Sequence, residues 1–185
     1  MATFLTSRPG SAADPSVPHL VLVGLAGAGK STVGELLADA LRRSYLDFDT
    51  EIARRAGMSI PEIFGQQGEA YFRQQETSLT RELAETGGMV LAPGGGWILS
   101  DENRSLLCPP ARLIYLKVSP DVAMHRMGAA AASRPLLNRP DPRGELERLL
   151  EARGPLYELA DITVTVDRLD AQHVTDRILE KLQPA

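Results

Sequence analysis

The sequence predicts an α/β fold built on a parallel sheet, on three observations. Short apolar runs alternate along the chain with segments of helical periodicity, which implies parallel strands joined by right-handed crossovers. Those runs are continuously apolar, the mark of strands covered by helices on both faces. The first of them leads through a glycine-rich turn into an amphipathic helix, and sheets of this kind bind ligands beyond the carboxyl ends of their strands.

Residues 1–18 are rich in Pro, Ser, Ala and Gly and lack any apolar period. They read as a disordered leader; they lack the apolar core of a secretory signal, and a single Arg is thin for a transit peptide. Residues 19–185 read as a single domain. His19 to Val23 is a buried strand. Residues 31–43 place Val33, Leu36, Leu37, Ala40 and Leu41 on one helical face. Residues 45–48 form a second strand, and 50–86 are helical with breaks near Gly57 and at 65–68. Met89 to Ala92 is a third strand, stopped by Pro93 and three glycines, and Arg112 to Lys117 a fourth. Pro120 to Met127 is a short helix. Residues 128–142, with several Pro, Ala and Arg residues, read as a mobile loop. Arg143 to Leu159 is helical, Ile162 to Val166 a fifth strand, and Ala171 to Leu182 a closing amphipathic helix.

Composition narrows the function. The 185 residues suit one compact domain with at most a small lid. One cysteine excludes an intrachain disulfide and a Cys-rich zinc site. A formal net charge of −4 opposes a nucleic-acid binder, and no apolar run approaches the roughly 20 residues of a membrane span. A cytoplasmic location is expected, as is a monomer, since no coiled-coil segment occurs.

The turn after the first strand reads Gly24-Leu25-Ala26-Gly27-Ala28-Gly29-Lys30-Ser31-Thr32, the pattern G-x-x-x-x-G-K-[ST] in its strand–loop–helix setting. Glycines let backbone N–H groups turn inward as an anion nest, and the helix N-terminus adds its positive dipole. Lys30 can reach the β- and γ-phosphates of a nucleoside triphosphate, and the Ser31 hydroxyl can ligate Mg²⁺. Gly27, Ala28, Gly29, Lys30, Ser31 and Thr32 are therefore candidate nucleotide-binding residues. Lysine occurs only three times in the chain, once at the required place.

A phosphate-loop enzyme usually needs a carboxylate to help hold Mg²⁺. The third and fourth strands end in Ala92-Pro93 and Lys117-Val118-Ser119, without an acid, whereas the second ends in Asp47-Phe48-Asp49. On a strand, Asp47 and Asp49 point to the same side, so one can serve the metal while the other faces an acceptor hydroxyl; the competing use is a helix cap at Asp49 or Thr50. No Asn-Lys dipeptide occurs, which argues against a guanine-reading GTPase. Gly94-Gly95-Gly96 permits close approach of backbone to a ligand. Arg73, Arg134 and Arg153 are candidates for a bidentate grip on a small anion, although composition alone does not select them among 17 arginines.

The ordered set of motifs, from about Leu20 to Leu182, resembles the shikimate kinase family. It comprises Gly27 to Thr32, the Asp47-x-Asp49 pair, Ser59-Ile60-Pro61-Glu62-Ile63-Phe64, Gly68-Glu69-Ala70-Tyr71-Phe72-Arg73, Gly94-Gly95-Gly96, Arg134-Pro135-Leu136-Leu137 and Arg153-x-Pro155-Leu156-Tyr157. The resemblance implies a three-layer P-loop fold like that of nucleoside monophosphate kinases, with five parallel strands in the order 2-3-1-4-5 and a lid. It implies transfer of the ATP γ-phosphate to the 3-hydroxyl of shikimate, in aromatic amino-acid biosynthesis, with Mg²⁺ as cofactor. By the same resemblance Asp49, Lys30 and Arg134 are catalytic, Asp49 as base or orienter of the hydroxyl. Arg73, Arg153 and the backbone at Gly94, Gly95 and Gly96 hold shikimate, with Glu76 orienting Arg73. Ser31 and Asp47 serve Mg²⁺, Arg134 closes over the phosphates with the lid, and Arg126 flanks adenine.

Two residues depart from the family pattern. Phe48 stands where a small polar residue is commoner, and Trp97 follows the glycines where a small residue is commoner, which places it near the substrate pocket or, on the other reading, in the core behind the sheet. The alternatives are a gluconate or nucleoside monophosphate kinase on the same scaffold, and a catalytically silent nucleotide-binding module.

Overall fold

The computed structural model describes residues 16–183. Five strands, β1 (Leu20–Val23), β2 (Tyr45–Asp47), β3 (Val90–Ala92), β4 (Arg112–Lys117) and β5 (Ile162–Thr165), form one parallel sheet in the order β2-β3-β1-β4-β5. Around it lie α1 (Lys30–Leu41), α2 (Phe48–Ala56), α3 (Ile60–Gln66), α4 (Gly68–Ala84), α5 (Asp101–Leu107), α6 (Pro120–Met127), α7 (Pro142–Tyr157) and α8 (Ala171–Leu182), with 3₁₀ turns at Trp97–Leu99 and Gly128–Ser133. The central strand β1 is buried throughout, as expected of a strand with neighbours on both edges and helices on both faces.

Local chemistry explains most boundaries. Asp47, Ser59, Ser100, Ser119, Asp141 and Asp170 each accept a backbone N–H at a helix start, satisfying donors that the first turn leaves free. Ser59 and Glu62 form a reciprocal capping box ahead of α3. Gly57 ends α2 in the left-handed region at φ 65°, where glycine carries no Cβ penalty.

Several expectations are corrected. The second strand stops at Asp47, and Phe48 and Asp49 begin α2; the two aspartates therefore do not share a strand face. The capping residue there is Asp47, through the Thr50 N–H at 3.0 Å, and neither Asp49 nor Thr50. The buried stripe of α1 is Val33, Gly34, Leu37 and Ala38, with Ala40 exposed, because Gly34 makes room for the Tyr45 ring beside it. Helix α5 is additional to the expected elements, and Ser100 followed by Asp101 and Glu102 is its start signal. Residues 128–142 hold a 3₁₀ turn over Gly128–Ser133 and an irregular stretch up to Asp141, which caps α7. Of the leader read at 1–18, residues 1–15 lie outside the described residues; the Val17 and Pro18 carbonyls accept hydrogen bonds from Gly88 N–H and Arg43. No helix among the described residues is long and apolar enough to cross a membrane.

His19 ties three elements together at the sheet's amino end. Its Nε2 lies 3.0 Å from the Leu83 carbonyl at the end of α4, and its Nδ1 accepts the Met89 N–H at 3.2 Å ahead of β3. A carbonyl can only accept, so the ring is neutral with its proton on Nε2. Burial lowers its pKa below the ordinary 6.5, against backbone hydrogen bonds that raise it. The unfolded chain then binds more protons than the folded one below about pH 6.5, so His19's contribution to stability is present above that pH and falls as the pH drops towards the folded-state value. Urea unfolding at pH 8 and pH 5 checks this: the loss of stability is expected to be smaller in His19→Gln than in the unmodified chain.

Candidate active site

A cavity of about 720 Å³ opens at the carboxyl ends of the strands, between the phosphate loop, the glycines after β3 and the 126–137 segment. Every candidate site residue lines it: Gly27 to Thr32, Asp47, Asp49, Arg73, Gly94 to Gly96, Arg126, Arg134 and Arg153. Phe48 and Trp97 do not. Both are fully buried, and Trp97 Nε1 donates to Thr80 Oγ1 at 2.9 Å against α4. The expectation that Trp97 sits near the pocket is corrected in favour of the core position: the turn after Gly96 directs its side chain into the core against α4.

The loop before α1 is shaped by backbone that only glycine tolerates. Gly27 stands at φ 79°, and a Cβ there would lie 2.7 Å from the Ala123 carbonyl oxygen; Gly29 stands at φ 92°. Lys30 Nζ donates to the Gly24 and Leu25 carbonyls at 3.0 and 3.1 Å, which lays its side chain across the loop. Burial, aided by the positive charge of Arg134, brings the Lys30 pKa down to about 8. A bound polyanion would offset both effects.

Beside the loop, Ser31 Oγ donates to Asp47 Oδ2 at 2.8 Å, and the Tyr45 hydroxyl donates to the same oxygen at 3.3 Å. These are hard oxygen donors next to a phosphate nest, the ligand chemistry of Mg²⁺, which takes one or two carboxylates and completes its shell with phosphates and water; the residues present fit the ion. Tyr45 is a further residue of the site, signalled in the sequence by its place two residues before Asp47 on the same strand face.

Asp49, on the first turn of α2, reaches the same cavity. Its Oδ1 is buried and has no hydrogen-bond partner. Burial and the neighbouring Asp47 raise its pKa, while Lys30, Arg134 and Arg73 oppose the rise. Glu76 Oε1 is likewise buried without a partner.

The far wall is built for an anion. Arg73 donates to Glu76 Oε2 at 2.5 Å and to Glu69 Oε1 at 2.8 Å, which fixes its guanidinium over Gly96, where a Cβ would lie 2.5 Å from Arg73 Nη2. Glu76 is fully buried; burial raises its pKa to about 7, against the lowering effect of Arg73. Glu69 is a second holder of Arg73, legible in its i, i+4 spacing. Arg153 on α7 is 6% exposed. It forms no ion pair with a described carboxylate, and its Nε has no hydrogen-bond partner. Each glycine has its own neighbour: a Cβ on Gly94 would meet Glu76 Oε1 at 2.9 Å, and one on Gly95 would meet Arg153 Nη1 and the Gly24 carbonyl at 3.2 Å. Arg126 donates to the Val166 and Leu169 carbonyls at 2.5 and 3.0 Å and so braces the loop before α8. The exposed Arg134 leads the 134–137 segment, whose Leu137 is buried.

A phosphate nest, an oxygen pair suited to a divalent cation, a buried carboxylate and a nearly buried arginine without an ion pair, all in one cavity, define a P-loop kinase of small molecules. The chain belongs to the shikimate kinase family, whose model matches residues 26–183. It is 44% identical to a shikimate kinase of Pseudomonas paraeruginosa over 166 residues, covering 89% of this chain and 96% of that one. Its structure resembles that of the Acinetobacter baumannii shikimate kinase in complex with shikimate, with a TM-score of 0.84 and 39% identity over 90% of this chain and 93% of that one. A gluconokinase from Sinorhizobium meliloti shares the fold alone, with a TM-score of 0.56 and 18% identity over 91% and 93% of the two chains. The chain is an ATP-dependent kinase of that family.

Proposed function

We propose that the chain transfers the γ-phosphate of ATP to the 3-hydroxyl of shikimate, as a cytoplasmic monomer serving aromatic amino-acid biosynthesis, with residues 19–185 as its kinase domain and 128–142 as its lid. The observation that carries the acceptor assignment is Arg153, a nearly buried guanidinium on the cavity wall beside Gly95 that forms no ion pair with a described carboxylate. An unpaired buried charge is costly, and a carboxylate on the acceptor relieves that cost. Likeness to a shikimate kinase solved with shikimate supports the same reading.

In this reading the N–H groups of 27–32 and Lys30 cradle the triphosphate. Ser31 and Asp47 hold Mg²⁺, which when bound neutralises charge on the phosphates. Asp49 accepts the hydrogen bond of the 3-hydroxyl and takes its proton as the oxygen attacks. Arg73 and Arg153 grip the acceptor's carboxylate, and the backbone at Gly95 lies against it. Arg126 flanks the adenine. Arg134 closes with its segment over the phosphates, stabilising charge in the transition state and excluding water.

The test is ADP release from Mg·ATP with shikimate, gluconate, CMP or no acceptor. Stimulation by shikimate alone is expected. Stimulation by gluconate or CMP instead would reassign the acceptor, and no stimulation with ATP still bound would favour a silent module.

A further inference from the structure

Arg153 forms no ion pair with a described carboxylate, yet a long side chain of many rotamers has to be held still to grip an acid. Tyr157 is placed to hold it. It stands four residues later on α7, on the same helix face. Arg153 Nη1 lies 3.2 Å, and the Tyr157 hydroxyl 3.5 Å, from one point, the place of a Cβ on Gly95. Guanidinium and hydroxyl thus share one side of Gly95, and a side-chain hydrogen bond joins them.

The direction of that bond follows from the protons each group owns. A guanidinium only donates, and a neutral phenol has one proton to give. Burial pushes the Tyr157 phenol up to about 12, so it keeps that proton at ordinary pH. The proton goes to the Gly95 carbonyl at 2.7 Å. The phenol oxygen therefore accepts from Arg153, and one polar chain runs from the guanidinium through the hydroxyl to the Gly95 carbonyl. Hydrogen bonds in series strengthen one another. The middle member of this chain is fixed: the Tyr157 ring is fully buried and stacks on Tyr115 of β4, with centroids 5.0 Å apart and planes 22° apart. The Nε of Arg153, by contrast, has no hydrogen-bond partner. The guanidinium is held from the side of Gly95, and its Nε edge is left for an acid, which a planar fork can meet with two parallel bonds.

We infer that Tyr157 is a positioning residue for Arg153: its hydroxyl, anchored on the Gly95 carbonyl and on a buried aromatic stack, accepts from the guanidinium and fixes the edge that Arg153 turns to the acceptor's carboxylate. The kinetic consequence rests on shikimate being the acceptor. Tyr157 acts through Arg153, without touching the ligand.

The test is a double-mutant cycle. Tyr157→Phe keeps the ring and the stack and removes only the hydroxyl. It is made in the unmodified chain and in Arg153→Ala, beside Tyr115→Phe as a control on the stack. Losing one hydrogen bond predicts a fall of about 3- to 10-fold in kcat/KM for shikimate in the unmodified chain, carried by KM. In the Arg153→Ala chain the same substitution is expected to cost less than about twofold, because no guanidinium is left to hold. The kcat and the KM for ATP of Tyr157→Phe should stay within about twofold, while Tyr115→Phe matches the unmodified enzyme. A second readout needs no substrate. In ¹⁵N spectra of the free protein the Arg153 Nη groups, identified by their loss in Arg153→Ala, are expected to be resolved from each other, as in a guanidinium that turns slowly, and to merge in Tyr157→Phe. Equal losses in the two backgrounds would overturn the inference, as would an unchanged kcat/KM for shikimate, parallel losses for both substrates, or Nη resonances already merged in the unmodified protein. Absence of shikimate-dependent ADP release from the unmodified enzyme would instead remove the acceptor assignment, and the Nη resonances would then decide the Arg153–Tyr157 link by themselves.

Discussion

Asp49→Asn is expected to lower kcat by about 10²- to 10⁴-fold, the range for removing a general base. The substitution keeps the shape of the side chain and its place on the first turn of α2, and deletes only the charge that accepts the acceptor's proton. Asp47 remains to cap that helix through Thr50, so the fold and the Ser31–Asp47 contact should persist. ATP affinity and the KM for shikimate are expected to change little, because the triphosphate is held by the loop and the acid by the arginines. Steady-state ADP release with a titration of each substrate separates these parameters, and near-normal turnover would remove Asp49 from its role. The pH profile adds a second check. Asp49 must be ionised to act, and burial raises its pKa, so kcat/KM is expected to fall with falling pH on a limb lying above the ordinary carboxylate range. That limb should vanish in the variant.

Arg153→Ala is expected to raise the KM for shikimate by an amount corresponding to about 2–4 kcal/mol, the cost of truncating one member of a desolvated charge pair, or roughly 30- to 1,000-fold. The KM for ATP should move by less than about twofold. Thermal stability is expected to change little, because Arg153 forms no ion pair with a described carboxylate and the relieved desolvation of its charge offsets the lost attraction to Glu76. Arg153→Lys should recover only part of the loss, because an ammonium lacks the planar fork that grips a carboxylate bidentately. Equal losses for both substrates, or a large fall in the melting temperature, would contradict the assignment.

Both experiments rest on residues whose place became clear only in part before the fold was known. The strand–helix alternation, the phosphate loop and the acids after the second strand were legible because each depends on neighbours in sequence: apolar period, glycine backbone freedom, and helix caps within a few residues. The same local logic makes α5 legible through Ser100. Arg153, by contrast, is one of 17 arginines. Nothing near it in the chain separates it from a solvated charge; its burial comes from packing beside a glycine 58 positions earlier. The resemblance to a family pointed to it, but the physical reason lies in that contact.

The placing of Asp49, Trp97 and Tyr157 divides the two sources of information. Local sequence sufficed for the class of fold, the nucleotide loop and the carboxylate pair beside it, since backbone propensity and short-range hydrogen bonds act within a few residues. It misjudged how the carboxylates converge: strand β2 yields to α2 one residue earlier than expected, and Asp49 enters the cavity from a helix turn. Trp97 went to the core and the Tyr157 hydroxyl to Gly95 because β1, β3 and β4 bring α4, the glycine turn and α7 together from distant parts of the chain. Burial, pairing and the direction of a peptide plane are properties of that assembly, and they arise only when the sheet has closed its long-range contacts.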